Sequence, residues 1–499
     1  MYVFMNRGFG MSEIDMWEKI GAVLNKIDDL VWGVPLIVLI MVCGLLLTVR
    51  LRGIQFTKLG KALKFMVQNE ENGHGEVTSF GALCTSLSAT IGTGNIVGVA
   101  TAIGVLSGGP GALFWMWAAA LLGMATKYTE GFLAIKYRTI DSEGHVLGGP
   151  FYYIENGMGA KWKWLAKLFA FFGACVGLFG IGTFSQVNGI ASAVQNFFDP
   201  EKSNTVSLFG ETYSIAVVIT GLILTVCVGL VVIGGLKRIS SVSQVVVPFM
   251  AVLYVVACLT LIITNIKLLP GAVVEIVKDA FGARAVAGGV GASIAIAIQK
   301  GVARGIFSNE SGLGSAPIAA AAAKTKDTVR QGLVTMTGTF IDTILICTMT
   351  GISIVMMGSW QNEALEGVQI TSDAYQKGLS FLPGSVSAFI LMACLVFFAF
   401  TTILGWDYYG ERCLEYLTNR SKTAVKVYRI LYIIAVFIGP YMTVAAVWTI
   451  ADIFNGLMAI PNVIALIALS GVVAKETKEY FAEKKDELPE TEKVTVDAE

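Results

Sequence analysis

The chain has 499 residues, of which 55% are hydrophobic and only 14% charged, and its 36 basic side chains balance 36 acidic ones. A soluble domain carries roughly 25% charged residues, so the composition excludes an ordinary water-soluble globular protein; a formal net charge of zero gives no argument about partners from bulk charge, and no nucleic-acid partner is expected. The eight cysteines form no CxxC pair and read as small buried apolar residues, His74 and His145 lack metal-ligand spacing, and no GxxxxGK loop supports ATP-driven chemistry.

In chain order, residues 1–30 read as an extracellular N-terminal segment, 31–473 as one transmembrane domain and 474–499 as a charged cytoplasmic tail. Eleven segments meet the criterion of about 20 mostly apolar residues. They lie near 31–49, 78–107, 110–136, 163–196, 213–235, 242–265, 272–308, 331–358, 383–413, 425–448 and 451–473. The first does not read as a cleaved leader, because Asp28 and Asp29 precede it and Arg50 ends it. One set of loops, counted from Arg50 and including Lys127, holds 26 Lys plus Arg, and the opposite set holds 8. The positive-inside rule then places the N-terminus outside and the C-terminus in the cytoplasm. Lys300 and Arg304 read as charges at the cytoplasmic end of the seventh span.

The second span carries Thr90-Ile91-Gly92-Thr93-Gly94-Asn95 at its middle. Two glycines one residue apart suit an unbroken helix poorly, and irregular backbone at membrane depth survives only where it lines a cavity or is buried. A freed helix N-terminus offers N–H groups to a carboxylate, and a freed C-terminus offers carbonyls to a cation. Asn95 is either a cation ligand or a helix cap. With no cationic side chain expected at mid-depth near the break, a substrate carboxylate is expected on main-chain N–H groups. In the third bundle helix, Thr183, Gln186 and Asn188 interrupt an apolar run, and Gln186 serves either a ligand or interhelical packing.

The seventh span has a second Gly-rich stretch, Gly288 to Ser293, so a second break is expected there, with Gly289, Gly291 and Ser293 facing a small substrate. Counted from the second span, the broken helices are then numbers one and six of ten. This predicts an all-α membrane protein with one extra N-terminal helix and a five-plus-five inverted repeat. Asp342 is an intramembrane acid and a functional candidate by default. Glu130 and Asp407 read as lying nearer the cytoplasmic ends of their helices. Thr401 and Thr402 stand in an apolar run; hydroxyls plus carbonyls without carboxylates make a weak-field cage suited to a monovalent cation. Trp406, one turn after Thr402, reads as a pocket wall, with a lipid-facing anchor as the rival. The segment Gly148 to Gly159 is too aromatic for a plain loop and reads as interfacial or re-entrant.

The runs Gly108 to Trp117, Ala89 to Ile96, Gly305 to Pro317 and Asp452 to Asn462 resemble those of the alanine or glycine:cation symporters. The first reads as a helix-start motif that packs. The resemblance spans roughly residues 31–473 and implies cotransport of small neutral amino acids, alanine and glycine, with sodium by alternating access, in the plasma membrane of a prokaryotic cell. It also implies a fold similar to that of the neurotransmitter:sodium symporters, whose broken first helix carries a Gly-x-Gly-Asn run. Laid on that run, the N–H groups of Thr93 and Gly94 would hold the substrate carboxylate. The carbonyls of Ser88 and Ile91, with Thr401 and Thr402, would hold one sodium, and Asn95 would be a ligand where a second sodium binds. Lys300 stands where the resemblance leads one to expect Arg. A proton-coupled transporter of the same fold, with Asp342 as carrier, is the alternative. A membrane-embedded enzyme is remote, since the spans contain no His and no clustered carboxylates.

Overall fold

In the computed structural model, residues 22–486 are described apart from 25, 29, 69, 71–72, 143, 209–210, 283–289 and 442–443. The chain is built almost entirely from helices. Those that position the site are α1 (Val34–Arg50), α2 (Ser79–Thr90), α3 (Val99–Ile103), α4 (Gly111–Lys136), α5 (Lys163–Phe179), α6 (Phe184–Phe198), α7 (Ile215–Val232) and α8 (Gly235–Thr264). They continue as α9 (Leu269–Ala280), α10 (Val290–Asn309), α11 (Ala316–Ala320), α12 (Thr328–Thr339), α13 (Thr348–Met356), α14 (Val368–Gly378), α15 (Gly384–Leu417), α16 (Lys422–Ile438) and α17 (Val444–Asp486). Two small antiparallel hairpins, Thr139–Ile140 with Val146–Leu147 and Thr205–Leu208 with Glu211–Ser214, lie between helices.

Among the described residues, seven helices are long and apolar enough to cross a membrane, or eight if the bent pair α2 and α3 counts as one span. The eleven segments read from the sequence are therefore not all single long helices. The expected span 272–308 is two helices, α9 and α10, and α1 has only 17 residues. Helix starts follow local chemistry. Thr78 caps α2 by accepting from Gly81 N at 3.0 Å, and Asp327 caps α12 by accepting from Arg330 N at 2.9 Å. Pro317 sits in the first turn of α11, where its missing N–H costs nothing.

The Gly108–Trp117 run starts α4 and packs, as read. Gly111 N donates to Asp279 Oδ2 at 2.9 Å and Trp115 Nε1 to the Ala280 carbonyl at 3.2 Å, both on α9. The aromatic stretch after Gly148 is no plain loop either. Phe151 and Tyr153 are buried, and the Tyr153 hydroxyl bonds Asn462 Oδ1 on α17.

Candidate functional site

The first break is where the sequence places it. After α2 the chain leaves helical geometry at Ile91 and turns by 52° before the second half of the span, which opens as a wide helical turn over Gly94–Gly98. Asn95 Oδ1 accepts from Gly92 N at 2.9 Å, so its oxygen ties the second half back to the break. The Asn95 amide donates to Asp342 Oδ1 at 2.7 Å, and its carbonyl accepts from Thr350 Oγ1 at 2.7 Å. Asp342 is fully buried; its other carboxylate oxygen accepts from Ser308 at 2.9 Å and Thr343 at 2.7 Å. Asp342, on the helical turn that follows α12, thus joins Asn95 at the first break to Ser308 on α10. Thr343 lacked any sequence signal, because a single hydroxyl in an apolar run is commonplace, and Ser308 stood out only as part of the Gly305–Pro317 run.

Of the residues singled out in the sequence, Ile91, Gly92, Thr93, Gln186 and Thr402 meet in one place. Thr402 Oγ1 lies 3.2 Å from the Ile91 carbonyl, and Gln186 Oε1 accepts from Thr93 N at 3.1 Å. A β-carbon at Gly92 would stand 2.5 Å from Thr402 Oγ1 and 3.0 Å from Gln186 Oε1, so only glycine leaves this junction open. Ser88 is buried one turn before Ile91, its hydroxyl bonded to the Thr85 carbonyl at 2.7 Å. Thr401 Oγ1 faces the Phe397 and Phe398 carbonyls and Met250 Sδ instead. Thr183 caps its own turn, donating to the Leu178 carbonyl at 2.7 Å, in a short break Gly180–Thr183 between α5 and α6 that the sequence reading took as continuous helix. Gln186, in the first turn of α6 after that break, reaches Thr93 at the break that follows α2. Trp406 is fully buried, with Nε1 donating to Glu310 Oε1 at 3.0 Å, which excludes the lipid-facing reading.

The second break differs from the expectation. Gly288 and Gly289 lie outside the described residues, and α10 runs unbroken from Val290 to Asn309, so Gly291 and Ser293 are helical. Helical geometry fails instead at Glu310–Ser315, inside the Gly305–Pro317 run. Glu310, Gly312 and Gly314 have φ of +56°, +88° and +82°. Gly312 N donates to Glu130 Oε1 at 3.2 Å, and a β-carbon at Gly314 would lie 2.7 Å from Phe169 and 2.9 Å from Asn462. Left-handed backbone plus close approach demands glycine at both.

Other charges depart from their sequence reading in burial or place. Lys127, counted with the loop charges, is buried on α4, 3.9 Å from Glu130; Glu130 does lie in the later part of α4 but is fully buried and accepts from Asn462 Nδ2 at 2.8 Å. Arg304 is not at the end of the bundle that holds the loops read as cytoplasmic. It shares one cleft with Asp28, Trp32, Lys300 and Asp452, the end of the bundle at which α1 begins. It also lines a cavity of about 680 Å³ whose floor includes Thr93 and Gly94 and whose wall includes Phe307, with the guanidinium 5.3 Å over the Phe307 ring. A cation therefore does stand near the first break. Trp406, Gln186 and Thr402 lie behind this floor rather than on the cavity wall.

At the opposite end the break is closed. Val77 and Ala323 form an isolated parallel bridge, Lys324 N donates to the Val77 carbonyl at 2.7 Å, and Arg138 donates to the Ala323, Thr325 and His74 carbonyls. His145 bridges Glu415 and Glu76 at 3.0 Å each, with Arg412 beside the ring. Those two bonds, Glu415 first, raise the His145 pKa to about 9 against the cost of burial. Burial pushes the Glu76 carboxyl up, but His145, the Val146 N–H and Arg412 together hold it below its ordinary value.

A profile described as "Sodium:alanine symporter family" matches residues 17–494. The "Sodium/alanine symporter AgcS" of Methanococcus maripaludis is 44% identical over 473 residues, covering 93% of this chain and 98% of that one. The "Probable sodium/glutamine symporter GlnT" of Bacillus subtilis is 38% identical over 473 residues, covering 94% and 92%. In fold, the solved structure of MhsT in complex with L-phenylalanine is similar at a TM-score of 0.57 and 11% identity, covering 79% of this chain and 89% of that one. The relatives are transporters, not enzymes. A broken span held open at Gly92, a cavity reaching it and a match across nearly the whole length lead to one conclusion: this multi-pass membrane protein belongs to the sodium:alanine symporter family.

Proposed function

We propose that the chain performs sodium-coupled uptake of small neutral amino acids, alanine and glycine, by alternating access. The observation that carries this is the cavity of about 680 Å³ ending on Thr93 and Gly94, where an amino acid can place its carboxylate on the N-terminus of a freed half-helix. The 3.2 Å approach of Thr402 Oγ1 to the Ile91 carbonyl supports a sodium among Ser88, Ile91, Thr401 and Thr402, all neutral oxygens. Asn95 and Asp342 would flank a second ion. The cavity end would face outward and the His145 end the cytoplasm, with the N-terminus outside, a reading that the bias of loop charges supports. Ten helices, α1 excluded, would form the two inverted halves.

Proton coupling through Asp342 draws on the burial of that carboxyl. Both of its oxygens accept hydrogen bonds, one from an amide that can only donate, and this suits an ionised acceptor beside a cation better than a proton shuttle. Uptake of labelled alanine into proteoliposomes decides between them. An inward sodium gradient alone should drive accumulation. Accumulation under a proton gradient alone, with none under sodium, overturns the reading. Competition by excess glutamine would show whether the pocket takes the longer side chain.

A further inference from the structure

Away from the transport path, α1 and the far end of α17 enclose an open cleft of about 710 Å³. Its walls carry Arg50, Arg52 and Lys58 from the exit of α1 and Lys475 and Lys478 from α17, and no acidic side chain lines it. Five like charges facing one cleft repel one another, so the arrangement calls for an anion. The local backbone holds them there. Arg52 has φ of +55° in the turn that ends α1, with Gly53 at +65°, and Arg50 bonds the Ser470 hydroxyl across the cleft. The Lys58 ammonium lies 5.1 Å over the Phe481 ring. Lys475 pairs with Glu479 at 3.9 Å, but among the described residues no carboxylate pairs with Arg52, Lys58 or Lys478.

A second observation says what kind of anion. Val34, Val38, Val42, Leu45 and Val49 are all exposed on α1. Their spacing puts them on one helix face. In a membrane protein such a face meets acyl chains, and it ends at Arg50, the rim of the cleft. An apolar stripe running into a cationic cleft at a helix end has the shape and polarity of a phospholipid. We propose that this cleft binds the phosphate-bearing headgroup of an anionic glycerophospholipid whose tails lie along α1. Near a membrane surface each Lys or Arg contributes about 1 kcal/mol to such binding, about fivefold in affinity. The proposal does not depend on which substrate or ion is carried.

The test uses the full-length protein in neutral detergent and follows its melting temperature during titration with phosphatidylglycerol, with phosphatidylcholine and glycerol 3-phosphate as parallel arms. Phosphatidylglycerol should stabilise the protein, phosphatidylcholine should not, and added salt should weaken the effect. In Arg52→Ala/Lys58→Ala/Lys478→Ala the half-saturating phosphatidylglycerol concentration should rise roughly a hundredfold, while the exposed Lys161→Ala should leave it unchanged. If the triple variant does not fold, Lys58→Gln/Lys478→Gln carries the same comparison. Equal stabilisation of variant and parent overturns the proposal. Equal stabilisation by glycerol 3-phosphate assigns the cleft to a free phosphate and also overturns it. The residues beyond Asp486 are acid-rich, with Glu487, Glu490, Glu492, Asp497 and Glu499 against Lys493. If neutralising those five in the full chain tightens phosphatidylglycerol binding tenfold or more, the tail is the occupant and the proposal fails.

Discussion

Thr93 N–H donates to Gln186 Oε1 across 3.1 Å, so a side-chain oxygen of α6 stands at the first break where an amino-acid carboxylate oxygen would be received. Substrate binding there requires Gln186 to yield that N–H or share it. Gln186→Glu puts a fixed negative charge against the same donor. Alanine should then need at least tenfold higher concentration for half-maximal uptake, since like charges in a buried site are costly. The rival receiver is Arg304, on the wall of the same cavity. If Arg304→Gln weakens alanine more than Gln186→Glu does, the carboxylate sits on the guanidinium and not on Thr93 and Gly94.

The two threonines of α15 should not be equivalent. Thr402 Oγ1 is 3.2 Å from the Ile91 carbonyl, whereas Thr401 Oγ1 is engaged by its own helix and Met250. Losing one oxygen from a small cation cage costs on the order of 1–3 kcal/mol. Thr402→Val should therefore raise the sodium concentration for half-activation of alanine uptake by tenfold or more, with a smaller rise for Thr401→Val. Unchanged sodium activation in both variants would move the ion elsewhere.

Trp406 is a fully buried ring held by Glu310, itself in left-handed backbone. Truncating a buried tryptophan costs about 3–5 kcal/mol of stability. Trp406→Ala should thus melt earlier and, if the ring walls the substrate site, should let leucine compete with labelled alanine. Trp406→Phe keeps the volume but loses the bond to Glu310, and should keep most selectivity. A folded Trp406→Ala that still ignores leucine and valine removes this residue from the pocket.

His145 gives a pH prediction with a definite sign. Its pKa in the folded protein is about 9, above the ordinary 6.5, because Glu415 and Glu76 hold the charged form. The stabilisation is fully present below about pH 6.5 and is lost as pH rises through about 9. Melting temperatures between pH 6 and 10 should fall more steeply for the parent than for His145→Gln across that window. Parallel curves would mean that the bridge between the α2 entrance and α15 adds nothing.

Much of this protein is short-range and therefore legible in the sequence. Apolar length marks the helices, and the Gly-x-Gly-Asn run marks the first break, because two nearby glycines and a capping Asn act within one turn. The packing role of Gly108–Trp117 and the burial of Asp342 followed from the same local signals. Other features depended on partners far away along the chain. The break of α10 sits at Glu310–Ser315 because Glu130 on α4 receives Gly312 N and because Asn462 and Phe169 leave no room for a side chain at Gly314. Lys127 and Glu130 resemble helix-end charges in sequence and are buried in the structure; nothing within α4 reveals the helices that cover them. Arg304 comes to the cavity because α10 starts at the end of the bundle where α1 begins. Sequence alone determined which segments are largely helical and apolar and where the second span breaks, since both follow from local propensity and polarity. The tertiary structure decided which charges are buried, which glycines turn left-handed and which side chains meet at the break, since each depends on contacts between residues up to hundreds of positions apart.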